Sequence, residues 1–171
     1  QNDFFIQTTE FTQDAFEYLM EGYSPNSNTC GSDCPVTNAT WMEALFVANL
    51  LSEEAGLETC YDCALSDDSD LSTVTNCVQK TEFEDSGIYE CKGYRLPTDA
   101  EWEIAALSRE TGSFWTEGGG GSSNQNFCTG EEFIVDDVSS PLLSEYMWYC
   151  GNADNTLHPV ASKLPNAFGL Y

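Results

Sequence analysis

The residues able to do chemistry in this chain are eight cysteines, one histidine and 29 carboxylates. The cysteines are Cys30, Cys34, Cys60, Cys63, Cys77, Cys91, Cys128 and Cys150. Zinc is one use for them, because Cys60-Tyr61-Asp62-Cys63 is a C-x-x-C step. A structural zinc site wants a second close pair, and Cys30/Cys34 is the sole candidate. The abundant carboxylates also raise thiol pKa values and disfavour thiolate ligands. An even count without strict metal spacing points instead to disulfides and an oxidising compartment. Connectivity stays open. Cys30 and Cys34 are placed to pin the turn-rich stretch 23–37, and nested bridges among Cys60, Cys63, Cys77 and Cys91 would staple residues 57–92. Cys128 is matched with Cys150.

The single histidine, His158, removes most catalytic options. A Ser-His-acid triad would have to use it, and no recognisable serine context accompanies it. An iron site of two histidines and a carboxylate is impossible. Asp67, Asp68 and Asp70 resemble the start of an EF-hand loop, but the glycine required at its sixth position is missing, so they read as solvated turn residues. The run Gly118–Gly121 lacks the Lys-Ser/Thr of a phosphate cradle.

Positioning elements are legible around these groups. Asp3–Thr8 reads as a strand. Thr12 caps a short helix with Phe11, Ala15, Phe16, Leu19 and Met20 facing the core, ended by Gly22. Thr40 and Glu43 form a Thr-x-x-Glu capping box for a second helix, with Trp41, Ala44, Leu45, Ala48 and Leu51 as its buried stripe and Gly56 as its stop. Pro97 holds Leu96 extended, and Thr98 with Glu101 caps a third helix to about Ser108. Trp102, Ala105 and Ala106 form its apolar face. Arg95, one of only five Lys and Arg residues, is expected to orient this turn through a bidentate carboxylate pair. Asn38-Ala39-Thr40 matches a glycosylation sequon and carries little weight. Farther on, Phe114-Trp115 reads as an anchoring aromatic pair, and Tyr146, Met147, Trp148 and Tyr149 form an aromatic cluster.

Composition narrows the classes. The 171 residues suit one domain, 1–171, with a cysteine-rich insert at 57–92. Hydrophobic content of 41% marks a globular chain. A net charge of −24 argues against nucleic acid and anionic membranes as partners. It leaves a solvated surface, a saline habitat or cation binding as readings. No apolar run is long enough for a membrane span. No signal peptide is visible and the chain starts at Gln1, so a removed leader or a piece of a longer chain is expected.

Four ordered stretches carry a family resemblance. Tyr94-Arg95-Leu96-Pro97-Thr98-Asp99-Ala100-Glu101-Trp102-Glu103 resembles the "RLPTEAEWE" signature of the formylglycine-generating enzyme (sulfatase-modifying factor) family. Phe5-Ile6-Gln7-Thr8-Thr9-Glu10-Phe11-Thr12 is similar to its early T-E-V-T strand. Pro35-Val36 with Trp41-Met42-Glu43-Ala44 resembles its second-helix start. His158-Pro159-Val160 with Pro165-Asn166-Ala167-Phe168-Gly169-Leu170-Tyr171 is similar to its "P-V-G-x-x-x-P-N-x-F-G-L-Y" segment, which makes a structural role for His158 the expectation.

The resemblance implies an α+β fold, mixed and loop-rich, related to C-type lectin-like domains, with about three helices and short antiparallel strands. It implies copper-dependent oxidation of a substrate cysteine where the family's active-site cysteine pair is present. That pair should follow Tyr171, and none of the eight cysteines aligns with it, so no catalytic residue is assigned and the chain is expected to be incomplete at both ends. Calcium is implied for the loops around 124–132 and 152–155, where Asn126, Asn152 and Asp154 are oxygen donors suited to a hard cation. The expected function is an exported, extracellular, periplasmic or cell-surface domain that binds a protein or surface ligand, or self-assembles. The alternatives are the N-terminal part of a copper-dependent oxidase acting on a sulfatase-type substrate, and a structural subunit of a bacterial surface assembly.

Overall fold

Helices α1 (Gln13–Leu19), α2 (Trp41–Glu54) and α3 (Asp99–Leu107) all start on a threonine cap. At α2 the Thr40 N–H donates to Glu43 Oε2 at 2.6 Å and the Glu43 N–H returns to Thr40 Oγ1 at 3.2 Å. At α3 the same exchange joins Thr98 and Glu101, at 2.9 and 3.3 Å. Each box satisfies two backbone donors that a helix start leaves orphaned. Helix α2 ends where Gly56 turns left-handed at φ +68°. The Gly56 N–H then meets the Glu53 carbonyl and the Leu57 N–H meets that of Ser52, closing the last turn.

The computed structural model describes residues 3–107, 143–149 and 152–171. They belong to two compact units, 1–4, 11–27 and 36–96 in the first, and 5–10, 28–35 and 97–171 in the second. Loop is the commonest state, as in the α+β fold the sequence implies.

In the first unit, β1 (Tyr61–Leu65) and β2 (Val74–Gln79) pair antiparallel, with Cys63 opposite Cys77 and an irregularity between Ala64 and Leu65. A short 3₁₀ turn, Leu71–Thr73, lies in the connection between the two strands, and two more follow β2 at Thr81–Phe83 and Ile88–Glu90. Helix α2 lies at the centre of this unit because it is buried on more than one side. Leu45 and Ala48 pack with Cys60, Tyr61, Cys77, Phe83 and Cys91. Val47 packs with Phe16 and Met20 of the α1 segment. Two disulfides are nested here, Cys60–Cys91 around Cys63–Cys77.

Polar side chains of α2 complete the attachment. Asn49, only 7% exposed, accepts from the N–H groups of Cys60 and Tyr61 and donates to the Tyr61 carbonyl. Ser52, fully buried, accepts from the Tyr94 N–H at 2.8 Å. Gly93 passes so close that an added Cβ would stand 1.9 Å from the Glu58 carbonyl oxygen.

Three expectations change. Residues 3–8 are not a strand; the described backbone bond to the segment is from the Tyr171 N–H to the Thr8 carbonyl, and a strand needs a ladder of such bonds. Trp41 does not join the buried stripe and is 64% exposed, because the first residue of α2 precedes the region its neighbours cover. Trp102 is 57% exposed. The inward positions of α3 are Glu101 and Ala105, one turn apart, since Glu101 must fold back onto the cap.

In the second unit, α4 (Leu143–Tyr146) and the C-terminal segment are joined by the Leu164 N–H to the Glu145 carbonyl. Asn166 bridges to α3, donating to the Ala105 carbonyl at 2.8 Å and accepting from the N–H groups of Phe168 and Leu170.

Candidate functional site: the Trp148 ledge

Residues 145–149 and 158–164 run alongside one another in the second unit and bring the aromatic cluster to the sole histidine. Trp148 and His158 stack with ring centroids 3.6 Å apart and planes 10° from parallel. Lys163 Nζ stands 3.6 Å from the Trp148 ring centroid. The imidazole and the ammonium cannot share one face at these distances, so the indole is clasped on both. A cation over an indole contributes roughly 0.5–2 kcal/mol. The indole N–H donates to Ser162 Oγ at 2.8 Å, which fixes the ring's rotation.

The histidine is oriented in turn. Its Nε2 lies 3.1 Å from the Ala153 carbonyl, so Nε2 carries the proton. The turn that presents Ala153 is organised by Asn152, whose side-chain oxygen accepts from the Tyr149 N–H at 2.8 Å while its amide donates to the Met147 carbonyl. Left-handed backbone recurs here, at Asp154 (φ +51°), Asn155 (φ +54°) and Ala161 (φ +54°). Asn and Asp tolerate that region; alanine has no side-chain compensation, and such a residue costs about 1–3 kcal/mol. Trp148 remains 39% exposed and Leu164 49%, and Met147 is exposed beside them in sequence. An indole with both faces taken cannot stack a sugar ring; its edge, with Met147 and Leu164, can present apolar surface.

The residues singled out from sequence fall as follows. Thr98 and Glu101 cap α3, and Trp102 points outward. Arg95, in the first unit, donates to the Leu96 carbonyl at 3.2 Å and stands 5.6 Å from the Tyr89 ring centroid. Burial pushes the Tyr61 hydroxyl pKa up, against the opposing pull of the Leu96 N–H and of the Arg95 charge. Cys30–Cys34, Cys60–Cys91 and Cys63–Cys77 are disulfides. Cys128, Cys150 and Asn126 lie outside the described residues, as do Gly118–Gly121 and Phe114-Trp115.

Of the oxygen donors implied for calcium, Asn152 turns its carbonyl to the backbone and Asp154 sits in the left-handed turn after it. A calcium shell takes about six to eight oxygens. Asn152 and Asp154 shape a turn and do not by themselves make such a shell. Among the described residues, no three His, Cys, Asp or Glu side chains converge as a metal group.

Sequence reasoning did not single out Ser162 and Lys163. The available signal was a lone cation, one of five Lys and Arg, close to the only histidine and followed by the Pro-Asn motif.

A capped-helix, loop-rich α+β chain with this C-terminal segment defines a class, and the comparisons agree. The chain belongs to the family of the sulfatase-modifying factor enzyme 1-like domain, whose model matches residues 1–171. It is similar to the chaperone protein LppX of Paenibacillus barcinonensis, 29% identical over 180 residues, covering 99% of this chain and 58% of that protein. Among solved structures it is similar to Treponema denticola variable protein 1, with a TM-score of 0.61 and 26% identity, covering 95% of this chain and 55% of the other. CarF shares the fold at a TM-score of 0.52 and 22% identity, over 96% of this chain and 62% of the other. The chain thus spans less than two-thirds of the length of each of these relatives. Three disulfides indicate an oxidising compartment. Among the described residues, no helix is long and apolar enough to cross a membrane.

Proposed function

We propose that this is an exported domain of the formylglycine-generating-enzyme type that binds a protein rather than oxidising one. The observation that carries the reading is the Trp148 ledge: a tryptophan rigidly held by His158, Lys163 and Ser162, with exposed Met147 and Leu164 in the same two segments. Rigid aromatic residues with apolar neighbours are the usual anchors of protein interfaces. The similar Paenibacillus protein is named a chaperone, which supports a protein client as the ligand class. Three disulfides support a site outside the cytosol, at a cell surface or in a periplasm.

The test is suppression of aggregation of a heat-denatured client protein. The native chain should suppress it, and a Leu164→Glu variant with unchanged far-UV and near-UV spectra should not. Equal suppression by both proteins, or none by either, sinks the reading.

Family membership favours a second reading, the copper-dependent oxidase. The six cysteines described are all bridged, so a catalytic pair would lie elsewhere. Incubation with copper, oxygen and a cysteine peptide of sulfatase type decides it: formation of an aldehyde on the peptide replaces the binding reading with the oxidase. Concentration-dependent size in solution would favour the assembly-subunit variant instead.

A further inference from the structure

Asp33 lies inside the small ring closed by Cys30–Cys34, and its carbonyl accepts the Val160 N–H at 2.8 Å. Val160 stands two residues from His158 and two from Ser162, the partners that hold the face and the edge of Trp148. The next residue, Ala161, is the left-handed alanine. A backbone strained in this way persists only where its surroundings over-determine it. The Asp33–Val160 bond is one such constraint, and the disulfide holds its acceptor in place.

We propose that Cys30–Cys34 is a reduction-sensitive latch on the Trp148 ledge. While the bridge is closed, Asp33 holds Val160 and the His158–Trp148–Ser162 arrangement is kept. When a dithiol opens it, residues 30–34 relax, the Val160 N–H loses its acceptor and the clasp on Trp148 loosens. This stands independently of whether the ledge binds a protein.

The chemistry assigns distinct roles to the two sulfurs. Cys34 is fully buried, whereas Cys30 is half-buried and open to attack. A reagent thiolate attacks Cys30 Sγ, forming a mixed disulfide, and the electron pair of the broken S–S bond leaves on Cys34 Sγ. The Cys30 backbone N–H already donates to that sulfur and stabilises the departing thiolate. The reagent's second thiolate then closes its own disulfide and releases Cys30. Two electrons pass from dithiol to protein, and the two new protein thiolates take up two protons. The other bridges are poorer candidates for this role. Cys60 and Cys91 are both buried, and Cys63–Cys77 joins strands that remain paired on either side of it.

The experiment uses the full chain labelled with ¹⁵N and titrated with dithiothreitol, with alkylation sites mapped by mass at each step. The Trp148 indole N–H signal is assigned by its loss in Trp148→Phe, and Trp41, in the other unit, serves as reference. The expected result is a shift or broadening of the Trp148 signal in step with alkylation of Cys30 and Cys34, while the Trp41 signal holds. Cys30→Ser/Cys34→Ser should show the shifted signal without reductant. An unchanged Trp148 signal once Cys30 and Cys34 are alkylated overturns the latch. So does opening of both other bridges while Cys30–Cys34 stays closed. If the double variant fails to fold, the titration of the native chain still decides.

Discussion

Asn49 pairs with Tyr61 as a neighbouring strand would, accepting its N–H at 3.2 Å and donating to its carbonyl at 2.8 Å. One helix side chain thereby completes the edge of β1 where the hairpin begins, and it also accepts the Cys60 N–H. A mid-helix asparagine carries a poor helix propensity, so its place in α2 is explained by these bonds and not by local preference. The hairpin cannot shift in register along α2 without losing all three.

Asn49→Ala should therefore be far more damaging than an ordinary helix alanine. It strands two N–H groups and a carbonyl, at about 1–3 kcal/mol for each that stays buried. Urea unfolding should show a loss of about 3 kcal/mol or more. A loss below about 1 kcal/mol would mean that water replaces the carboxamide.

Gly93 and Gly56 separate steric from conformational need. An alanine at 93 would drive its Cβ against the Glu58 carbonyl and the Ser52 hydroxyl, and backbone cannot move aside cheaply. Gly56→Ala meets nothing within 4 Å and faces only its left-handed backbone. The expected costs are about 3 kcal/mol or more for Gly93→Ala and about 1 kcal/mol for Gly56→Ala. Thermal midpoints in the reverse order would show that the 52–58 backbone yields.

Disulfide removal should follow loop length. The sequence separations are 31 for Cys60–Cys91, 14 for Cys63–Cys77 and 4 for Cys30–Cys34. Chain entropy then gives roughly 3.7, 3.0 and 2.1 kcal/mol, before any change in packing. Paired Cys→Ser variants compared in denaturant test the order. The two bridges of the first unit also bury sulfur in its core, which widens the gap.

Glu43 sets an acid limit. Burial alone would raise its pKa, but the Thr40 N–H and hydroxyl and the Tyr23 hydroxyl outweigh that and hold it below its ordinary 4.5. Tyr23 is pushed above its ordinary 10.0 by the bond to Glu43 first, then by burial and by the charges of Glu43 and Asp70. A lowered acid stabilises above its unfolded pKa and loses that contribution as pH falls through the folded one. A raised phenol stabilises below its unfolded pKa and loses its contribution as pH rises through the folded one. The pair thus contributes fully from about pH 4.5 to about pH 10. Acid also relieves the repulsion behind a net charge of −24, so total stability is a poor readout. The difference between the native chain and Glu43→Gln is the proper one: it should shrink between pH 7 and pH 3, and a constant difference would remove Glu43 from the acid response.

Local signals told much of this fold in advance, because capping acts within four residues. Thr12, Thr40–Glu43, Thr98–Glu101 and the Gly56 stop were legible in the one-dimensional chain, and so was family membership, carried by motifs in order. The even cysteine count pointed to disulfides, and six of the eight cysteines are now placed in three bridges. What only tertiary structure decided is what lies opposite each side chain. Helical spacing assigned Trp41 and Trp102 to the core, yet both are exposed, since periodicity identifies a face and not its cover. The same limit hid Asn49, whose partners lie 11 and 12 positions away. It also hid the clasp on Trp148, which needs His158, Ser162 and Lys163 brought back by a strained turn that no short-range rule encodes.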